Sequence, residues 1–134
     1  MRWYVEVIKK YAIFSGRARR REFWMFTLVD IVISFVIVGA DELIGTEYAL
    51  GTDEVFGGGL LVTLYGLAVL VPTITVTFRR LHDVDRTGWW ILLALVPVLG
   101  WIVLLVFMVT NGTPGNNRYG PDPKLSEHPY VPTA

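Results

Sequence analysis

Three apolar runs, each long enough to cross a bilayer, constrain this 134-residue chain more than any other feature. Phe23–Ala40 has 18 residues and one charge, Asp30; Leu60–Phe78 has 19 and no charge; Trp89–Thr110 has 22 and no charge. A helix of a soluble domain hides only a stripe, so polar residues recur on every turn, whereas a membrane span is apolar all round. At about 1.5 Å rise per residue the runs reach roughly 27, 29 and 33 Å, against a hydrocarbon core of about 30 Å. A hydrophobic fraction of 53%, a charged fraction of 18% and a mean hydropathy of +0.48 point the same way. The expected fold is therefore all-α. It is a polytopic membrane protein with three transmembrane helices, at 23–40, 60–78 and 89–110, in a single membrane domain over 1–134.

A net charge of zero conceals a steep asymmetry. Residues 1–22 carry seven bases against Glu6 and Glu22, net +5; the connection 41–59 carries five acids and no base, net −5. The loop 79–88 has three arginines against two aspartates, net +1. Short loops rich in Lys and Arg stay on the cytoplasmic side. The N-terminus and the 79–88 loop are thus expected inside and the 41–59 connection outside. With three spans the C-terminus falls outside too, on the periplasmic or extracellular side. Basic residues followed by an apolar run also resemble a cleavable signal peptide, but Asp30 interrupts the run and the basic region is too long, so no cleavage is expected. The absence of Cys excludes disulfides and thiolate metal sites.

Residues 1–14 form neither a span nor a random tail. Trp3, Tyr4, Val7, Ile8, Tyr11 and Phe14 fall on one face of a helix, and Arg2, Glu6, Lys9 and Lys10 take much of the other. That pattern predicts an amphipathic helix lying in the cytoplasmic interface, facing anionic lipid headgroups. Trp3, Trp24, Trp89 and Trp90 are placed as interfacial anchors. The tail 111–134 is polar and rich in Pro and Gly, a composition that builds turns and extended segments. Its Asn111-Gly112-Thr113 sequon lies too close to the bilayer to carry an argument.

Asp30 is the one ionisable group deep inside a run, and a charged carboxylate there costs about 3 kcal/mol on insertion scales. Thr27 and Ser34 share its face, and Thr63, Tyr65, Gly66, Thr73, Thr75 and Thr77 are its candidate partners in the second run. A helix-to-helix hydrogen bond is the plain reading; a proton or ion relay is the sharper one. Pro97, followed by Gly100, breaks the third run's helical ladder, so a re-entrant hairpin competes with a crossing. The length of 22 residues favours the crossing.

The segment Arg79-Arg80-Leu81-His82-Asp83-Val84-Asp85-Arg86-Thr87-Gly88-Trp89-Trp90 joins the second and third runs. As a hinge, its arginines complement a helix C-terminus, its polar residues turn, and its tryptophans start the next span. As a site, Arg17, Arg79, Arg80, His82, Asp83 and Arg86 are candidate binders of an anionic lipid headgroup. Catalysis would need His82 oriented by Asp83 or Asp85 together with a nucleophile or metal; no such partner is in reach, His128 being remote. No catalytic residue, metal, cofactor or nucleic-acid partner is assigned.

Three stretches carry a resemblance: Phe14-Ser15-Gly16-Arg17-Ala18 with Glu22-Phe23-Trp24; Arg79-Arg80-Leu81-His82-Asp83 with Gly88-Trp89-Trp90; and Pro114-Gly115-x-Asn117-x-Tyr119-Gly120-Pro121-x-Pro123. In this order they resemble the signatures of the domain of unknown function 805 family, small bacterial inner-membrane proteins. The resemblance implies location in the bacterial inner (plasma) membrane and a multi-pass architecture, and it implies no activity. Where that family has Gly-Lys-Ser in the middle signature this chain has Asp85-Arg86-Thr87. Asp tolerates a left-handed turn better than most residues, so the bend is expected to survive. The leading function class is a non-enzymatic protein acting through membrane lipids, a homo-oligomeric contact or a membrane-protein partner. A small oligomeric channel or transporter component and an enzyme acting on a lipid or polar headgroup are the alternatives.

Overall fold

The computed structural model describes residues 2–49 and 57–125. Five helical segments and one short hairpin run in the order α1 (Arg2–Lys9), α2 (Arg20–Ile44), β1 (Glu47–Ala49), β2 (Gly57–Gly59), α3 (Leu60–Asp83), a 3-10 helix (Gly88–Leu95) and α4 (Leu99–Val109). Two of these, α2 and α3, are long and apolar enough to cross a membrane. The distribution of side chains fits that reading. Phe35 is 73% exposed and Leu67 63%, yet Arg80 is fully buried. Among the described residues the buried set holds nearly as many polar or charged side chains as apolar ones. A water-soluble domain sorts these the other way.

The pair α2–α3 is joined by an antiparallel two-stranded ribbon, Glu47 opposite Gly59 and Ala49 opposite Gly57. At that end Asp41 is fully buried and performs a capping role across the turn. Its Oδ1 accepts from Leu61 N (3.0 Å) and from the Thr46 hydroxyl, and its Oδ2 from Val62 N (2.9 Å). The first amides of α3, which have no partner in their own helix, are thereby satisfied by a carboxylate lent by α2. Gly59 is required for space: a Cβ there would lie 1.9 Å from Asp41 Cγ.

Pro72 lies inside α3 without ending it. A proline removes the hydrogen bond to the carbonyl four residues earlier, here Ala68. The Tyr11 hydroxyl donates to that carbonyl at 2.9 Å, so a residue outside the helix replaces the missing N–H. Thr75 returns a bond to Tyr11 O (3.1 Å), which fixes the segment after α1 against α3. The amphipathic helix itself ends at Lys9, short of the expected residue 14, and buries Val7 beside Ala18, Phe26 and Val76.

The third apolar run corrects the expectation of a third continuous span at 89–110. It divides into the 3-10 helix and α4, and contacts between the two show that the chain reverses there. Val98, at φ 64° and ψ −70°, is the centre of a tight turn closed by Leu99 N on Pro97 O at 2.8 Å. Trp101 Nε1 donates to Ala94 O (2.9 Å), and Trp90 meets Phe107 edge to face at 5.4 Å, so the two arms lie side by side. Each arm is about 16 Å long, roughly half a hydrocarbon core. The physical reason has two parts. Pro97 breaks the ladder at the turn, and polar side chains hold the far end of α4, as described next.

Candidate functional site

The C-terminal end of α3 carries Arg79, Arg80, His82 and Asp83, all in the last turn and a half of that helix. Helix geometry puts Arg80 and Asp83 one turn apart on one face, and Arg80 Nη1 pairs with Asp83 Oδ2 at 2.5 Å. Arg17, in the extended link before α2, approaches the other carboxylate oxygen: its Nε and Nη2 lie 3.0 and 2.9 Å from Asp83 Oδ1. All three side chains are buried. A buried carboxylate between two guanidiniums is tolerable because the remaining donors also find partners.

Those partners are backbone carbonyls. Arg80 donates to Phe107 O (3.1 Å), Met108 O (3.3 Å) and Thr110 O; Arg20 donates to Val109 O (3.0 Å) and Trp24 Nε1 to Met108 O (3.2 Å). These are the last carbonyls of α4 and its cap, which lack partners in their own helix. Arg17 continues the pattern along the tail, donating to Thr113 O (2.5 Å) and Gly115 O (2.6 Å). The Asp83 carbonyl accepts from Thr113 N at 2.8 Å, and Gly112 packs so closely that a Cβ would fall 2.1 Å from Asp83 Oδ2. Residues 111–125 were expected at the end of the molecule opposite the N-terminal bases. They are instead bound to the same end, because the carbonyls 107–115 are the ones that satisfy Arg17, Arg20 and Arg80.

A second ion pair lies beside the first. Glu22 is buried, its Oε1 2.9 Å from Arg79 Nη2 and 3.9 Å from Lys10 Nζ. Arg79 also bonds Arg17 O (3.3 Å), and its own carbonyl accepts from Ala18 N at 2.9 Å. Arg17-Ala18 and Arg79-Arg80 are therefore clasped backbone to backbone as well as through side chains.

His82 faces the tail. Its Nδ1 is 3.1 Å from Gly16 O, its ring stacks on Tyr119 at 3.9 Å between centroids, and its carbonyl accepts from Asn117 Nδ2 (2.9 Å). Asn117 also donates to Thr113 Oγ1 (2.8 Å) and accepts from Tyr119 N (2.9 Å), which shapes the turn Asn117–Gly120. Asp85 takes φ 58°, so the bend does adopt the left-handed conformation, and its carboxylate pairs with Arg118 at 3.1 Å. Arg86 lies over the rings of Trp90 (5.3 Å) and Phe107 (5.4 Å). Gly88 is dictated by contact: a Cβ would sit 1.9 Å from the Phe78 ring.

Of the residues named from the sequence, Arg17, Arg79, Arg80, His82 and Asp83 thus come together, with Arg86 at the rim. Asp30 lies elsewhere and accepts from the Tyr65 hydroxyl (2.7 Å), which is 3.1 Å from the Tyr4 hydroxyl. Among the anchors, Trp3 takes Arg2 at 5.0 Å and Arg19 at 5.9 Å over its ring, and Trp89 is largely exposed. Sequence reasoning missed Glu22 and Asp41 as buried partners. The signal was present in each case: an acid next to a run of bases, and the first acid after a span.

The cluster draws on all three stretches that carried the resemblance. The sequence profile of a family described as "Protein of unknown function (DUF805)" matches residues 11–121. The chain belongs to the DUF805 family. The DUF805 region includes every residue of the ionic cluster except Lys10. Similar proteins include "Inner membrane protein YhaH" of Escherichia coli (strain K12), 50% identical over 125 residues, covering 93% of this chain and 98% of that one. "Inner membrane protein YhaI" of the same strain is 46% identical over 128 residues, covering 96% of this chain and all of its own. "Uncharacterized protein YiiR" is a more distant relative at 29%, covering 81% of this chain and 84% of its own. No solved structure matches this DUF805 chain.

Proposed function

We propose that this protein is a non-enzymatic integral inner-membrane protein. It crosses the bilayer twice, with the N-terminal segment, the ionic cluster and residues 111–125 on the cytoplasmic side, and it acts there through anionic lipid headgroups. The observation that carries the reading is the confinement of the buried charged cluster to one end of an otherwise lipid-compatible helix pair. That end also carries the net +5 of residues 1–22, the sign that stays inside. The 3-10 helix and α4 then form a re-entrant hairpin whose tip, Pro97-Val98, lies near mid-bilayer. The relatives' names as inner-membrane proteins support the location.

Several features support a binding role over catalysis. Arg17 and Arg80 spend their donors on Asp83 and on carbonyls, so they hold the fold together. His82 is engaged by Gly16 O and by stacking on Tyr119, and its neighbour Asp83 is bonded to arginines, so the pair is not arranged as a base with its orienting acid. The hydroxyls of Thr73 and Thr77 bond the carbonyls of their own helix and that of Thr75 bonds Tyr11 O, so these three are engaged within the protein.

The test is lipid selectivity of the full chain in a zwitterionic host. Spin-labelled phosphatidylglycerol should associate more strongly than spin-labelled phosphatidylcholine, with the preference falling as salt is raised. Equal association of the two lipids would sink the reading.

A further inference from the structure

A cavity of about 590 Å³ opens between the start of α2, the end of α4 and the tail. That volume lies within the roughly 300–1,000 Å³ common to small-ligand sites. Its polar wall is Arg19, Arg20, Arg21 and Lys124; its apolar wall is Trp24, Met25 and Val109. One carboxylate reaches it, Asp83, and Arg17 and Arg80 already neutralise that group. Among the described residues no carboxylate lies within ion-pair distance of Arg20, Arg21 or Lys124. Arg20, Arg21 and Lys124 thus give this wall a net positive charge among the described residues, which favours an anionic ligand.

Both walls narrow the ligand's chemistry. Guanidiniums match phosphate oxygens with paired N–H groups, and a lysine adds a mobile point charge. Trp24 and Met25 belong to the first turns of α2, where its apolar surface begins. A soluble phosphate would use one wall only; an amphiphile with a phosphate and acyl chains uses both. We propose that this cavity holds the headgroup of one anionic diacyl phospholipid. Its phosphate meets Arg21, Lys124 and the N–H groups of Arg20 that are not bonded to Val109 O, and its chains run down past Trp24 and Met25. The assignment rests on the lipid-binding reading above and adds a place and a stoichiometry to it.

The test is native mass spectrometry of the full chain in neutral detergent, titrated with phosphatidylglycerol or phosphatidylcholine. Wild type should hold one phosphatidylglycerol in preference to phosphatidylcholine. Arg21→Gln with Lys124→Gln, both exposed and so compatible with folding, should weaken that binding about fivefold or more. Arg2→Gln with Lys9→Gln removes the same charge from α1 and should weaken it less than about twofold. Equal loss in the two double variants, or no loss in either, overturns the site while leaving the general lipid reading intact. No lipid preference in wild type overturns that general reading instead. Displacement of the bound lipid by millimolar glycerol phosphate would assign the cavity to a soluble anion and overturn the lipid assignment. Unchanged helical circular dichroism in both double variants keeps these outcomes clear of misfolding.

Discussion

Asp83 is the residue on which the ionic cluster turns. It accepts from Arg17 and Arg80 in a buried setting, and its carbonyl and the space beside it fix the tail. Asp83→Asn leaves two buried guanidiniums facing a neutral amide, and breaking a buried pair in this way costs about 3–5 kcal/mol. The expected readout is a large fall in the heat- or detergent-induced unfolding midpoint, with Asp83→Glu milder than Asp83→Asn. An unchanged midpoint in Asp83→Asn would mean that the cluster contributes nothing to the fold. Asp122 acts on a smaller scale, accepting from Lys124 N (2.9 Å) and Gly115 N (3.1 Å). The bond from Lys124 N holds its carboxyl below the ordinary value, aided by Gly115 N and the Arg17 and Lys124 charges and opposed by partial burial. A depressed carboxylate stabilises the fold above the unfolded pKa, about 3.9, and that stability disappears as pH falls through the folded value. The tail loop should hold at pH 5 to 7 and loosen below about pH 4, seen as faster amide exchange at Gly115 and Lys124 after correction for the intrinsic rate.

At the scale of elements, three gaps in the backbone hydrogen bonding of α3 and α4 are completed by groups from elsewhere in the chain. Asp41 caps α3, Arg80 and Arg20 cap α4, and Tyr11 repairs the gap left by Pro72. Asp41→Ala removes a cap within the fold and should cost about 1–2 kcal/mol. Gly59→Ala should cost at least as much, because the added Cβ displaces that carboxylate. Both are read from the unfolding midpoint. The hairpin tip predicts a gain instead. A β-branched residue at positive φ is strained by roughly 1–2 kcal/mol, so Val98→Gly should raise stability by about 1 kcal/mol. A fall would show that the exposed Val98 side chain contributes more through packing than its backbone loses through strain.

For the whole molecule, the two-span reading makes a prediction that a three-span one reverses. The chain lacks cysteine, so single introduced cysteines report cleanly. A cysteine at Leu125 should react with a membrane-impermeant thiol reagent only after the cell is opened, as should one at Ser15, while one at Leu43 reacts in intact cells. Labelling of Leu125→Cys from outside would restore the third crossing and separate the tail from the arginines that bind it here. The link between α2 and α3 through Asp30 and Tyr65 belongs to this scale as well. Tyr65→Phe should loosen the helix pair by about 0.6–1.7 kcal/mol, the usual worth of an interhelical bond in a membrane.

Reading residues in order was enough for whatever depends on local composition. The span-length runs, the basic N-terminal segment, the amphipathic pattern of Trp3 to Phe14 and the family signatures are all properties of neighbouring residues. The left-handed turn at Asp85 and a polar partner for Asp30 in the second run also followed from residue type. What composition left undecided was the third run, because a proline, a glycine and enough apolar length serve a kinked span or a hairpin equally well. That choice is made by bonds between residues 27 to 98 positions apart, from Arg80 to the end of α4 and from Arg17 to the tail. Those same bonds consume Arg17 and Arg80, which composition alone offers as ligand contacts, and they leave Arg21, Lys124 and the part of Arg20 not bonded to Val109 O lining the cavity. A charge is legible in sequence; whether another part of the chain has already neutralised it depends on the folded path, since a buried guanidinium must find partners wherever the fold supplies them.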